Sequence, residues 1–148
     1  MTKREVASEW FSQGFSCSQS VLAAYAEDFG LDPEMALRVA GAFGGGMGRT
    51  GQTCGAVTGA LMVIGLKYGK VKAEDNATRD KGYAVTAEFM WRFQERHGAL
   101  TCPGLLGYDI GTPEGRAAVQ EKKLSSTLCP LLVADAAEMV EELLKNEA

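Results

Sequence analysis

The chain has 148 residues, 46% of them apolar and 23% charged, a balance that fits one globular domain, residues 1–148, and excludes disorder and fibrous repeats. A formal net charge of −4 removes nucleic acid from the expected partners, because phosphate-backbone affinity rests on clustered Lys and Arg. The longest uncharged apolar run, Cys54 to Leu66, is well short of the roughly 20 residues a bilayer crossing needs, so the chain is expected not to span a membrane.

The opening Met1-Thr2-Lys3-Arg4-Glu5 runs straight into an amphipathic segment with no apolar leader, which points to a cytoplasmic address. From Thr2 to Gln13, Val6, Ala7, Trp10 and Phe11 form the stripe of a first helix that Gly14 stops. Cys17 opens a second, with Val21, Leu22, Tyr25 and Phe29 on its apolar side and Gly30 as its end. Asp32-Pro33 reads as an N-cap and a first helical proline, with a third helix running to about Ala42. Gly41 to Gly51 is too rich in glycine for regular structure and reads as a tight loop.

Gln52 to Tyr68 is apolar nearly all round, the mark of a central buried helix. Asp75 to His97 predicts a long helix with Tyr83, Ala87, Met90, Trp91 and Phe93 inward and a charged face outward. Cys102-Pro103 starts a short turn through Leu106, Thr112-Pro113-Glu114 a weaker helix to about Leu124, and Cys129-Pro130 a final helix. That last helix sets Leu132, Ala136, Met139, Val140, Leu143 and Leu144 against Asp135, Glu138, Glu141 and Glu142. No segment alternates as a strand does. The expected fold is all-α, a single-domain helical bundle of about six to seven helices around the helix that follows the glycine loop.

Four cysteines, Cys17, Cys54, Cys102 and Cys129, carry the chemistry. In a reducing compartment such thiols point to metal or redox work before permanent disulfides, with plain buried packing as the alternative. Proline is favoured at the first helical position, so Cys102 and Cys129 are predicted N-caps, and Cys17 and Cys54 also precede helices. Unpaired N–H groups and the positive end of the helix dipole favour the thiolate, the form that attacks disulfides and binds metals. Separations of 37, 48 and 27 residues leave no C-x-x-C pair, which disfavours a thioredoxin motif, c-type haem attachment, a zinc ribbon and ferredoxin-type cluster loops, and leaves open a centre assembled from four separate helices.

Gly55 and Gly59 lie four apart on one helix face and allow another backbone close, either as a tight helix crossing or as room for a cofactor beside Cys54. Gly44 to Gly51, with Gly46, Gly48 and Arg49-Thr50, resembles a phosphate cradle, but a Walker loop needs Gly where Phe43 stands and Lys where Arg49 stands, so the segment reads as a shaped turn delivering Cys54, with anion binding the lesser alternative. The lone His97 reads as a helix-end residue rather than a metal ligand. Trp10, Trp91, Met47, Met90 and Met139 are spaced as core, with Met47 the one that flanks the site. The acidic last helix reads as a solvated face that also suits a basic electron-transfer partner.

The order Cys17, Cys54-Gly55-Ala56-Val57-Thr58-Gly59, Cys102, Cys129 resembles the redox-active protein family named for its C_GCAxxG_C_C pattern, and Gly14 to Val21 and Phe43 to Gly48 are similar to its flanking segments. That resemblance implies a bacterial or archaeal protein, relatives with selenocysteine in place of a cysteine, neighbouring transporter genes, and kinship with a domain of split-Soret cytochromes in which an iron-sulfur centre is associated with the cysteine-bearing region. Two chemistries stay open for the four cysteines: a dithiol acting on a small thiol or disulfide or on a redox partner protein, and a [2Fe-2S] or similar iron-sulfur centre for electron transfer. The rival reading is a helical zinc-binding or transporter-accessory protein with structural cysteines. A homodimer is compatible with either.

Overall fold

The computed structural model describes residues 1–146. Most helices begin where a short polar side chain accepts an otherwise free N–H of the first turn. Thr2 caps α1 (Lys3–Ser12), Ser16 caps α2 (Cys17–Ala26) and Asp32 caps α3 (Pro33–Ala40). A 3-10 turn, Gly41–Phe43, leads into the single turn α4 (Gly44–Met47). Then come α5 (Gly55–Tyr68) and α6 (Asn76–His97), the latter capped by Asp75. Thr101 and Thr112 cap α7 (Cys102–Leu106) and α8 (Pro113–Glu121), and the turn α9 (Leu124–Thr127) delivers the chain to α10 (Cys129–Asn146). Among the described residues, helices of eight residues or more are α1, α2, α3, α5, α6, α8 and α10, and the sole β-pairing is one rung between Thr53 and Thr101. The all-α expectation holds. No helix among the described residues is long and apolar enough to cross a membrane.

One core forms where α2 and α5 cross, with α1, α3, α6 and α10 packed around them. From Ser20 to Ala26 every residue of α2 is buried, and α5 is buried from Gly55 to Ala60 before it surfaces at Gly65. On α6 the buried face is Gly82, Val85, Phe89 and Phe93, so Phe93 packs as expected while Tyr83, Ala87 and Trp91 point outward, Trp91 at 60% exposure. Both stripes keep a helical period. Gly82 decides between them, since it lets α6 lie against Tyr68, whose Cβ is 3.1 Å from where a Cβ at position 82 would stand. Met47 is likewise at the surface, Trp10 and Met90 are half-buried, and Met139 is core.

Asp135 belongs to the inside of α10 and not to its solvated face. Arg4 on α1 bonds both Asp135 and Glu138, and His97 Nε2 lies 3.1 Å from the second Asp135 oxygen. A carboxylate is tolerated at that depth because cationic and polar partners from two other helices meet it. His97 ends α6 as expected, and its ring lies tilted against Phe93, which packs it into the fold.

The glycine segment is more ordered than a loop. Gly45, Gly46, Met47, Gly48 and Arg49 all have φ between 64° and 68°, a consecutive left-handed run. The Gly48 and Arg49 N–H groups donate to the Gly44 carbonyl, and the Gln52 N–H donates to that of Gly46, so α4 opens a turn of the opposite hand to every other helix. Each non-glycine residue held there costs about 1–2 kcal/mol, which explains why three of the five are glycine. A Cβ at Gly46 would stand 2.7 Å from the Gln52 nitrogen. Gly46→Ala is therefore expected to lower stability by about 2 kcal/mol or more, read as a lower urea midpoint at unchanged slope.

Candidate functional site

All four cysteines stand at helix starts, though not all as caps. Cys54 is the N-cap of α5, whereas Cys102 is the first residue of α7 behind the cap Thr101, and Cys129 is the first of α10. Cys17 follows the cap Ser16, which forms a reciprocal capping box with Gln19. The predicted capping role of Cys102 and Cys129 is thus corrected. None of the first-turn N–H groups has an intrahelical partner, so proline fits the second helical position as well as the first and leaves the cap to a better acceptor. At α7 that acceptor is the Thr101 hydroxyl, which takes the Gly104 N–H at 3.2 Å.

Two packing devices bring the helix starts together. First, Gly55 and Gly59 face α2, Gly55 at the edge of the cavity: Cβ atoms there would stand 2.9 Å from the Ser18 nitrogen and 2.8 Å from the Ser18 carbonyl oxygen. That backbone-to-backbone approach sets Cys17 beside the start of α5, its Cβ 3.1 Å from the same hypothetical Cβ at Gly55. Second, the Cys54 N–H donates to the Leu100 carbonyl at 2.8 Å and the Cys102 N–H to that of Gln52 at 3.0 Å. This pair of bonds clips residues 52–54 to 100–102 in antiparallel sense, so α5 and α7 start from one rung. Thr-Cys occurs at both places, Thr53-Cys54 and Thr101-Cys102, and this repeated dipeptide is the sequence signal that would have found the clip.

The four thiols line one cavity of about 770 Å³ and are all free. Within it they form a row. The Cys54 sulfur interacts most strongly with those of Cys102 and Cys17, and Cys17 in turn with Cys129, while Cys129 acts more weakly on Cys54 and Cys102 through charge alone. Cys54 and Cys102 are the buried members, Cys17 and Cys129 the partly exposed ones.

Charge is distributed unevenly along the row. The Cys102 and Cys17 thiols hydrogen-bond to the Cys54 sulfur, and these donors outweigh burial to pull its pKa down to about 3. The Ala56 and Val57 amides at the open end of α5 act in the same direction, through a looser approach than a closed cap bond. Of the four, Cys54 is the one whose surroundings most favour the thiolate. Cys17 is pushed up, first by serving as donor to Cys129 and Cys54 and then by burial, and Cys102 is pushed up by its bond to Cys54 and by burial. Cys129 is lowered because Cys17 donates to it.

Gly46 and Gly48 lie in the left-handed turn; Gly46 is closed off by the Gln52 backbone, whereas Gly48 borders the cavity. His97 is not among the cavity residues. Arg49 and Arg116 are; the sequence pointed to Arg49 only as part of a cradle-like segment, and to Arg116 not at all. A metal ion needs at least three donors about one point, and among the described residues no three His, Cys, Asp or Glu side chains are so grouped.

No curated protein and no solved structure matches the chain. The family model described as "Putative redox-active protein (C_GCAxxG_C_C)" matches residues 15–143, a span that holds all four cysteines, the α2–α5 crossing and the left-handed turn, and the chain belongs to that family.

Proposed function

We propose that the protein is a thiol–disulfide redox protein acting in a compartment that keeps thiols reduced, with Cys54 as nucleophile. The observation that carries this reading is the meeting of four free thiols on the wall of one cavity wide enough for a small molecule, with Cys54 the one whose neighbours favour the thiolate. The Cys54 thiolate attacks one sulfur of a disulfide, the S–S bond breaks, and the departing half leaves as a thiolate that takes the Cys102 proton. Cys102, now a thiolate, attacks the Cys54 sulfur of the mixed disulfide and releases the second half. The substrate disulfide is reduced by two electrons and a Cys54–Cys102 disulfide forms. Reduction by a partner dithiol returns the row to its starting state.

Cys17 and Cys129 extend the row toward solvent, where such a partner reaches them. Cys17 attacks Cys54 in the Cys54–Cys102 disulfide and frees Cys102; Cys129 then attacks Cys17 and frees Cys54. The oxidising equivalents are thereby moved to the exposed pair without change in their number.

Mild oxidation of the reduced protein, followed by digestion and mass mapping under acid quench, tests this. Disulfides are expected between row neighbours, Cys54–Cys102 foremost and Cys17–Cys129 next, and Cys102–Cys129 is expected to be absent. Iron and sulfide in stoichiometric amounts after anaerobic isolation, with thiols that resist oxidation until the iron is removed, would falsify the dithiol reading in favour of a cluster.

A further inference from the structure

Apart from its sulfurs, the cavity is apolar on most sides, with Phe11, Phe15, Leu105, Leu106, Ile110 and Val119 in its wall. The other ionisable groups in the wall are two arginines, Arg49 and Arg116, and no Asp or Glu lines it. Neither guanidinium is spent on a carboxylate. The Arg49 side chain has no ion-pair or hydrogen-bond partner among the described residues, and Arg116 gives one bond, to the Ile110 carbonyl at 3.0 Å. The nearby Asp109 accepts instead from the Gly111 N–H at 2.8 Å. Arg49 is also set in place at a cost, since it ends the left-handed run at φ 64° with its Cγ against the Gly45 backbone.

Arg49 and Arg116 are both exposed, so they stand at the rim of this cavity, and two arginines with no carboxylate partner beside a largely apolar wall suit an anion that brings its own apolar part. The cavity's size and the depth of Cys54 exclude a folded protein from contact with that sulfur, whereas a small molecule is admitted. We infer that the cavity takes a low-molecular-weight organic disulfide carrying a carboxylate, its sulfur against Cys54 and its carboxylate held by Arg49 and Arg116. The inference rests on the dithiol reading above and adds to it the charge and size of the substrate. A carboxylate matches the planar fork of a guanidinium, and its charge opposes the two arginines and not the thiolate if it binds at the far side of the cavity from Cys54.

A charge series of small disulfides tests it on the whole reduced protein: dithiodipropionate with two carboxylates, neutral hydroxyethyl disulfide, and cystamine with two ammonium groups. The rate of mixed-disulfide formation at low salt is expected to fall in that order, with dithiodipropionate about tenfold faster than the neutral compound, the size of one charge-assisted contact. Added salt is expected to narrow the gap. In Arg49→Gly, chosen because glycine suits the left-handed backbone, and in Arg116→Gln on the exposed face of α8, the ratio of the dithiodipropionate rate to the neutral rate is expected to drop toward one. Equal rates across the series in the native protein, or a native ratio kept in both variants, overturns the substrate assignment and leaves the dithiol chemistry standing. If none of the disulfides reacts with any of the four thiols, the dithiol reading falls and this inference falls with it.

Discussion

At about pH 5, a small neutral alkylating reagent is expected to modify Cys54 nearly as fast as at about pH 8, whereas an ordinary thiol loses roughly tenfold in rate per pH unit below its pKa near 8.5. The cause is local: Cys102 and Cys17 donate to the Cys54 sulfur and the first amides of α5 point toward it, so its pKa is lowered to about 3. Cys102→Ala removes the largest of these contributions and is expected to shift the acid limb of the Cys54 rate profile upward. Cys102→Ser keeps a donor and is expected to restore part of the effect. Peptide-resolved mass spectrometry of the labelling rates separates Cys54 from its neighbours, and an ordinary thiol profile at Cys54 in the native protein would remove the basis for its role as nucleophile.

The same shifts set the sign of a stability effect. A thiol whose folded pKa is depressed contributes stability that is complete above its unfolded pKa, near 8.5, and is lost as pH falls toward the folded value. Cys54 therefore contributes progressively less to stability between about pH 8.5 and its folded pKa of about 3. Cys17 and Cys102 run the other way, because their folded pKa values are raised: their contribution is complete below about pH 8.5 and is lost as pH rises above it. Urea midpoints of the native protein and the Cys54→Ser variant, compared across this range, are expected to converge at acid pH.

Gly59→Val is expected to destabilise the fold by about 3 kcal/mol and to part Cys17 from Cys54, the upper end of what overpacking a core costs. The clash is with backbone: a Cβ at position 59 meets the Ser18 carbonyl oxygen at 2.8 Å and its Cα at 3.1 Å, so α2 as a whole must retreat. Gly65 on the same helix is the control. It faces open space, and Gly65→Ala is expected to raise stability by up to about 1 kcal/mol through helix propensity alone. Thermal unfolding and disulfide mapping on the two variants separate the steric effect from a general intolerance of α5 to side chains. A Gly59→Val protein with native stability and a native Cys17–Cys54 contact would show that the crossing does not set the row.

Local features of the fold were legible because they rest on short-range physics. Helix starts at Cys17, Pro33 and Pro113, and those at Gly55, Cys102 and Cys129 to within three residues, follow from polar caps, prolines and the apolar period, none of which depends on distant residues. Where two local answers were equally good, the sequence could not choose. The Tyr83, Ala87 and Trp91 stripe and the Gly82, Val85, Phe89 and Phe93 stripe have the same period, and only the fit of Gly82 against Tyr68 selects the second. Asp135 looked solvent-facing because its partners, Arg4 and His97, are far away in sequence.

By itself, then, the sequence determined the helical class, the four helix-start cysteines and the family pattern around them. The tertiary structure decided which sulfurs come within reach of one another, which has surroundings that favour negative charge and what else shares their cavity. Those depend on the α2–α5 backbone approach at Gly55 and Gly59 and on the rung joining Thr53 to Thr101. Contacts between residues tens of positions apart arise from packing of whole helices, and no local preference for a helix start encodes the partner it will meet.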